Sequence, residues 1–79
     1  MKIDVTELDI ENGKCGVAFS CPVALAVRRA TGITRVYVGS RHLEIGDRRM
    51  AIPIPVRRFI TCFDAEIPVG PFSFELEGI

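Results

Sequence analysis

Three short β-type segments joined by two glycine-containing dipeptides constrain the fold of this chain more than any other feature. The segments are Arg35–Val38, Arg41–Ile45 and Arg48–Ile52, and the links are Gly39-Ser40 and Gly46-Asp47. Glycine followed by a polar residue is typical of a type II′ hairpin turn. The pattern therefore predicts a three-stranded antiparallel meander.

Two-residue turns fix the register of the predicted meander. The core face then holds six apolar residues, namely Val36, Val38, Leu43, Ile45, Met50 and Ile52. The other face carries two cross-strand rows, Tyr37–His42–Ala51 and Arg35–Glu44–Arg49. The second row alternates in charge, which stabilises a sheet by ~0.2 to 1 kcal/mol per pair.

Two further segments predict helices. The first begins at Ser20-Cys21-Pro22, because proline is favoured in the first helical turn, and it ends at Gly32. The second begins at Pro55 and has apolar residues at helical spacing on its core-facing side, namely Val56, Phe59, Ile60 and Phe63.

Alternating apolar residues predict one strand near each end of the chain. They are Ile3 and Val5 in the first strand and Phe72, Phe74 and Leu76 in the last. Residues 7–16 contain Asn-Gly and four charges, which indicates a loop. The predicted order is β-α-β-β-β-α-β, an α+β fold with two helices packed on one face of a mainly antiparallel sheet.

Length and composition indicate one small folded unit. The 79 residues leave room for one domain, and we expect it to span residues 1–79. A hydrophobic content of 48% argues against disorder. Three cysteines are too few for a disulfide framework, so we expect free thiols. The sequence has neither a long apolar run nor a secretory leader, so we expect a cytoplasmic protein outside the membrane.

The charges are separated along the chain although they sum to zero. Residues 1–13 have a net charge of −3 and residues 59–79 a net charge of −4. Residues 14–58 hold nine basic and two acidic residues, a net charge of +7. If the two ends are neighbours, the folded chain has an acidic edge and a basic face.

The sequence offers no complete catalytic or cofactor site. Cys21 lies at a predicted helix start, where a thiol is activated, but a nucleophile also needs a base. The sole histidine, His42, is predicted on the sheet face away from the helices. The cysteines lack zinc-site spacing, and no glycine-rich phosphate loop occurs. We therefore expect a protein that is not an enzyme and that needs no cofactor.

Four residues on the outer sheet face form a candidate partner site, namely Arg35, Tyr37, His42 and Arg49. Arginine and tyrosine on rigid strands are typical interface anchors. The same face suits nucleic acid less well, because stacking platforms for single strands carry several aromatic residues. A protein partner is therefore favoured. The alternative is a solvated face whose charges neutralise each other.

The acidic chain ends suggest a second candidate surface. Glu75 and Glu77 lie on the predicted last strand, where clustered carboxylates could imitate phosphate charge toward a basic groove. The same residues also serve solubility. Any uncovered edge strand could pair with a second copy, so a homodimer is a further alternative.

Three stretches carry a resemblance to known proteins. They are Cys21-Pro22-Val23-Ala24-Leu25-Ala26, Phe59-Ile60-Thr61-Cys62-Phe63-Asp64 and Pro71-Phe72-Ser73-Phe74-Glu75-Leu76. Together they resemble a widespread group of very small phage and prophage proteins, over residues 21–77. Within that group the chain is most similar to anti-CRISPR proteins directed at type I-C Cascade.

The resemblance implies a host-directed inhibitor. Such a protein is expected to bind the Cascade surveillance complex and to prevent its recruitment to target DNA. The residues that carry the resemblance belong to the core and the turns, so they assign no binding site. The alternative function is a small nucleic-acid-binding accessory protein that uses the basic central segment.

Overall fold

The computed structural model describes residues 1–77. Its helices and strands, in chain order, are β1 (Lys2–Val5), α1 (Glu7–Asn12), α2 (Pro22–Thr31), β2 (Val36–Val38), β3 (His42–Ile45), β4 (Arg48–Ala51), α3 (Ile54–Asp64) and β5 (Phe72–Glu75). All strand pairs are antiparallel, so the predicted α+β class with an antiparallel sheet is confirmed.

Helix α2 begins and ends where the sequence predicts. Cys21 is the N-cap, and its sulfur accepts a hydrogen bond from the backbone N–H of Ala24 at 3.5 Å. Pro22 occupies the first helical turn. Gly32 ends the helix with a φ of 73°, a left-handed conformation that glycine adopts without strain.

Helix α1 lies where a loop was predicted, so that prediction is wrong. Thr6 and Asp9 form a capping box, in which the Thr6 side chain accepts from the Asp9 N–H and the Asp9 carboxylate accepts from the Thr6 N–H. Such reciprocal bonds satisfy two N–H groups at the start of a helix. Gly13 ends α1 after six residues.

The strands form two sheets instead of the single predicted sheet. β1 pairs with β5, and β2, β3 and β4 form the meander. The prediction of one sheet with two helices is therefore wrong in its details, since the described chain has two sheets and three helices. Helix α2 contacts both β1 and β2 and so connects the two sheets.

The second hairpin of the meander has the predicted register. Leu43 lies opposite Met50 and Ile45 opposite Arg48. Gly46 has a φ of 59°, which suits the first central position of a type II′ turn.

The first hairpin is displaced by two residues from its predicted register. Val38 lies opposite Leu43 and Tyr37 opposite Glu44. The predicted pairings of Tyr37 with His42 and of Arg35 with Glu44 are therefore wrong. A shift of two residues keeps every side chain on its predicted face, because side chains alternate with period two.

One hydrophobic core joins both sheets and the helices. Ile3 and Val5 from β1, Val36 from β2, Leu43 and Ile45 from β3 are each at most 1% exposed. Helix α3 packs the predicted stripe against this core, with Val56 and Phe59 buried and Ile60 and Phe63 half-buried.

The first residue and the end of the described chain lie side by side. The amino group of Met1 donates to the carbonyl oxygen of Leu76 at 2.8 Å, and it lies 3.5 Å from the Glu75 carboxylate. The condition for an acidic edge, that the two ends are neighbours, is therefore met within residues 1–77. None of the helices in that range has the length and apolar character of a membrane-spanning segment.

Candidate interaction face and adjoining pocket

The outer face of the meander, away from the core, carries polar and aromatic side chains. We define the outer face as Tyr37, His42, Glu44, Arg49 and Ala51, which alternate with core residues along β2, β3 and β4. The observed register gives the row Tyr37–Glu44–Arg49 beside the pair His42–Ala51. Three predicted site residues, Tyr37, His42 and Arg49, therefore lie on one face.

Arg49 interacts with His42 instead of with the opposite carboxylate. Its Nη2 lies 3.3 Å from Nδ1 of His42, which accepts the bond when that nitrogen is unprotonated. Within residues 1–77, no carboxylate lies within 4.0 Å of Arg49, although Glu44 is its cross-strand partner. Arg49 is therefore free of a direct carboxylate contact within the described residues, although Glu44 on the neighbouring strand balances its charge across the outer face.

A second aromatic ring extends the outer face. Phe19 packs edge-to-face on Tyr37 with ring centroids 5.2 Å apart, and Phe19 is 55% exposed. The loop that carries it is bound to the edge of β2, because the Val38 N–H donates to the Ala18 carbonyl at 3.0 Å. Val17 and Phe19 are apolar residues outside every predicted helix and strand, and this signal in the sequence did not enter the prediction; both are exposed in the structure.

A pocket of about 390 Å³ opens beside Tyr37. Its apolar wall is formed by Val38, Ile52 and Ile60, and its polar wall by Arg57 and Asp64 of α3. The loop residues 16–18 close a third side, where the Gly16 N–H donates to Asp64 Oδ1 at 3.2 Å. The pocket has the size and lining to hold one apolar side chain next to a charged group.

The other predicted site residues lie apart from this pocket. Arg35 is exposed immediately before β2, and its carbonyl oxygen accepts from the Gly46 N–H, which places it at the opposite end of β2 from the pocket. Glu75 belongs to β5 and Glu77 follows it, so both belong to the other sheet. The two candidate surfaces therefore belong to different sheets.

The acidic edge is partly neutralised by contacts within the chain. Asp9 is 4% exposed, and Arg29 holds it through two hydrogen bonds of 2.5 and 2.9 Å. Burial acts to raise the pKa of Asp9, but the bonds from Arg29 and Thr6 and the charge of Arg29 outweigh it and lower that pKa. Lys2 lies 3.9 Å from Asp4. Fewer free carboxylates therefore remain than the sequence charge suggests.

All three cysteines are free thiols. Burial raises the pKa of the Cys21 thiol, which opposes the activation that a helix start provides. Desolvation and the contact with Asp64 raise the pKa of Cys15. Both thiols are therefore protonated near neutral pH.

No group of three or more metal-ligating side chains occurs among residues 1–77. His42 lies on the outer face of β3, whereas Cys21 is buried at the start of α2. A scan against models of protein families, a search of curated proteins and a search of solved structures each returned no match.

Proposed function

We propose that this protein is a non-enzymatic inhibitor that binds the type I Cascade complex through the outer face and its pocket and blocks target-DNA binding. The observation that carries the proposal is the exposed Tyr37–Phe19 pair on the same sheet face as Arg49, which has no carboxylate within 4.0 Å among residues 1–77. Arginine and aromatic residues are the usual energetic centres of protein interfaces. The identity of the partner comes from the resemblance of residues 21–77.

The geometry favours a protein surface as the ligand. The aromatic pair lies on strand and loop backbone that is hydrogen-bonded on both sides, so it loses little freedom on binding. The neighbouring pocket is lined by Ile52 and Ile60 and also by Arg57, so an apolar side chain of a partner would meet apolar groups there and an acidic neighbour would meet a cation. This combination of an apolar centre and a charged rim is typical of protein interfaces.

The second candidate function is nucleic-acid binding by the basic central segment, residues 14–58, which includes the outer face. Phe19 adds a second aromatic ring to Tyr37, which strengthens a stacking platform. Several arginines also have no carboxylate within 4.0 Å in the described range, namely Arg35, Arg41, Arg48, Arg49 and Arg57. Phosphate binding releases counterions, so its affinity falls steeply with salt, whereas an interface with an apolar centre depends on salt less.

A gel shift with purified type I-C Cascade and its target DNA distinguishes the two functions. The protein is added before or after the DNA, and a further lane holds the protein and DNA without Cascade. We expect the Cascade–DNA band to disappear only when the protein is added first. A shift of DNA by the protein alone would favour the nucleic-acid binder. An unchanged Cascade–DNA band in both orders would contradict the proposal.

A further inference from the structure

One edge of the meander is left open for another strand. Among residues 1–77, β4 lies at the end of its sheet and pairs only with β3. The Ile52 N–H donates to the Arg41 carbonyl at 3.1 Å, so the backbone N–H and C=O groups of Ile52 point toward β3. In an antiparallel ladder, the backbone groups of successive residues point alternately toward the neighbouring strand and away from it. Met50 and Ile52 therefore face β3, and the N–H and C=O of Arg49 and Ala51 point away.

These outward groups lie at the surface. Arg49 and Ala51 are both exposed, and within residues 1–77 neither their N–H nor their C=O has a backbone partner. The opposite edge of the sheet differs, because the Val38 N–H on β2 is bonded to Ala18. An exposed row of unpaired backbone groups is a template for a further strand.

The side chains of β4 indicate what that strand would carry. Arg48 and Arg49 are exposed, and no carboxylate of the described chain lies within 4.0 Å of either. Met50 is half-buried against the core, so it offers an apolar contact on the core side of the sheet. The nearest acid in sequence, Asp47, lies in the turn before the strand.

We propose that the open edge of β4 binds an extended acidic segment of a partner protein, which adds to the meander as a further antiparallel strand. Main-chain bonds to Arg49 and Ala51 would supply affinity, and cross-strand pairs would supply specificity. The register requires an apolar residue opposite Met50, followed by two acidic residues opposite Arg49 and Arg48. This proposal does not depend on Cascade being the partner.

A second copy of this chain fits the same edge less well. Pairing β4 with itself places two copies of Arg48 and Arg49 on one short ladder, with no acidic residue on either strand. Such a ladder lacks the opposite-charge pairs that stabilise a sheet. An acidic strand instead turns both arginines into favourable pairs.

The test uses a capped peptide, Thr-Val-Thr-Ile-Glu-Glu-Thr, titrated into the ¹⁵N-labelled protein and followed by NMR. We expect the amide signals of Arg49 and Ala51 to shift and their hydrogen exchange to slow. A control peptide with both Glu replaced by Lys should bind about tenfold or more weakly, because two favourable cross-strand pairs become unfavourable.

Two variants separate backbone pairing from charge. Ala51→Pro removes an outward N–H without removing a bond to β3, and it should abolish peptide binding, whereas Ala51→Val keeps that N–H and should bind. If Ala51→Pro fails to fold, the double variant Arg48→Glu, Arg49→Glu decides, since it should prefer the lysine peptide.

Three results would overturn the proposal. One is absence of acidic-peptide binding to the wild-type protein. Another is a set of shifts centred on Tyr37 and the pocket with Ala51 unaffected. The third is concentration-dependent protection of the Ala51 amide without peptide, which would identify a second copy as the occupant of the edge. The assay contains no Cascade, so its failure is distinct from failure of the proposed inhibition.

Discussion

Asp9 is a buried carboxylate that holds the start of the chain to helix α2. It bonds Arg29 on α2 and caps α1 through the Thr6 N–H at 2.8 Å. Removing one partner of such a pair leaves a buried polar group without its hydrogen bonds. The ion pair therefore links α1 directly to α2.

Replacement of Asp9 should reduce stability and its dependence on pH. The Arg29 side chain is 52% exposed, so solvent screening limits the loss in Asp9→Asn to about 1 to 2 kcal/mol. The folded-state pKa of Asp9 is lowered, so its contribution is complete above the unfolded pKa of roughly 3.9 and is lost as pH falls through the folded value.

Urea unfolding from neutral pH to roughly pH 2 measures this effect. The wild-type free energy of unfolding should fall more steeply on acidification than that of Asp9→Asn. Glu11→Gln is the matched control, because Glu11 is exposed on the same helix. Parallel pH curves for wild type and Asp9→Asn would contradict the assigned role.

Gly13 is required by packing rather than by its backbone conformation. Its φ of −72° is open to any residue, but an added Cβ would lie 2.5 Å from Cγ and Cδ of Pro22. Pro22 is buried, so it cannot move aside freely. Gly13→Ala should therefore destabilise the fold by about 1 to 3 kcal/mol, as overpacking does.

Chemical denaturation checks the prediction for Gly13. Gly70→Ala is the control, because an added Cβ there has no atom within 4 Å and Gly70 has no positive φ. It should be neutral or slightly stabilising, by about 0.4 to 1 kcal/mol. Equal stability of the two variants would refute the packing argument.

At the scale of the elements, sequence patterns predicted most helices and strands. They did not predict helix α1 or the division of the strands into two sheets. Helix α2 was predictable because Pro22 and Gly32 are local signals. Helix α1 was missed because the Asn-Gly turn signal outweighed Thr6 and Asp9, although these two stand at capping-box spacing. The division into two sheets depends on which strands meet, and that has no local signal.

The first hairpin shows why register was harder to predict than strand identity. Gly39 indicated a turn, but the Gly39 N–H donates to the His42 carbonyl, so Ser40 and Arg41 form the turn. Glycine at position 39 instead leaves room for the Tyr37 ring, because an added Cβ would lie 3.0 Å from Cε1 of Tyr37. The face was predicted correctly, whereas the contact of Tyr37 with Phe19 required the folded loop.

Gly39→Ala should displace the Tyr37 ring from its place beside Phe19. The chain has one tyrosine and no tryptophan, so tyrosine fluorescence and near-ultraviolet circular dichroism report Tyr37 without interference from tryptophan. We expect both tyrosine signals to change, with a loss of stability of about 1 kcal/mol, the low end for overpacking, because the close atom belongs to a side chain that can move. Unchanged tyrosine signals, equal to those of Gly70→Ala, would show that the ring does not depend on Gly39.

At the scale of the whole molecule, one core supports two surfaces of different chemistry. The meander presents arginines and aromatic rings, whereas the β1–β5 sheet presents Asp4 and Glu75 beside Lys2 and the amino terminus. The charge asymmetry of the sequence anticipated this division. The Arg49–His42 contact and the Arg29–Asp9 pair were not predictable, because they join residues whose proximity only the fold creates.

The affinity for purified type I-C Cascade, measured by biolayer interferometry, tests the central proposal most directly. The double variant Tyr37→Ser, Arg49→Glu should bind about tenfold or more weakly than wild type, because it removes an aromatic and a cationic anchor from the outer face. The control Arg58→Glu, an exposed charge reversal on α3, should bind as wild type does. Wild-type affinity of the folded double variant would contradict the outer-face account, and so would absence of wild-type binding.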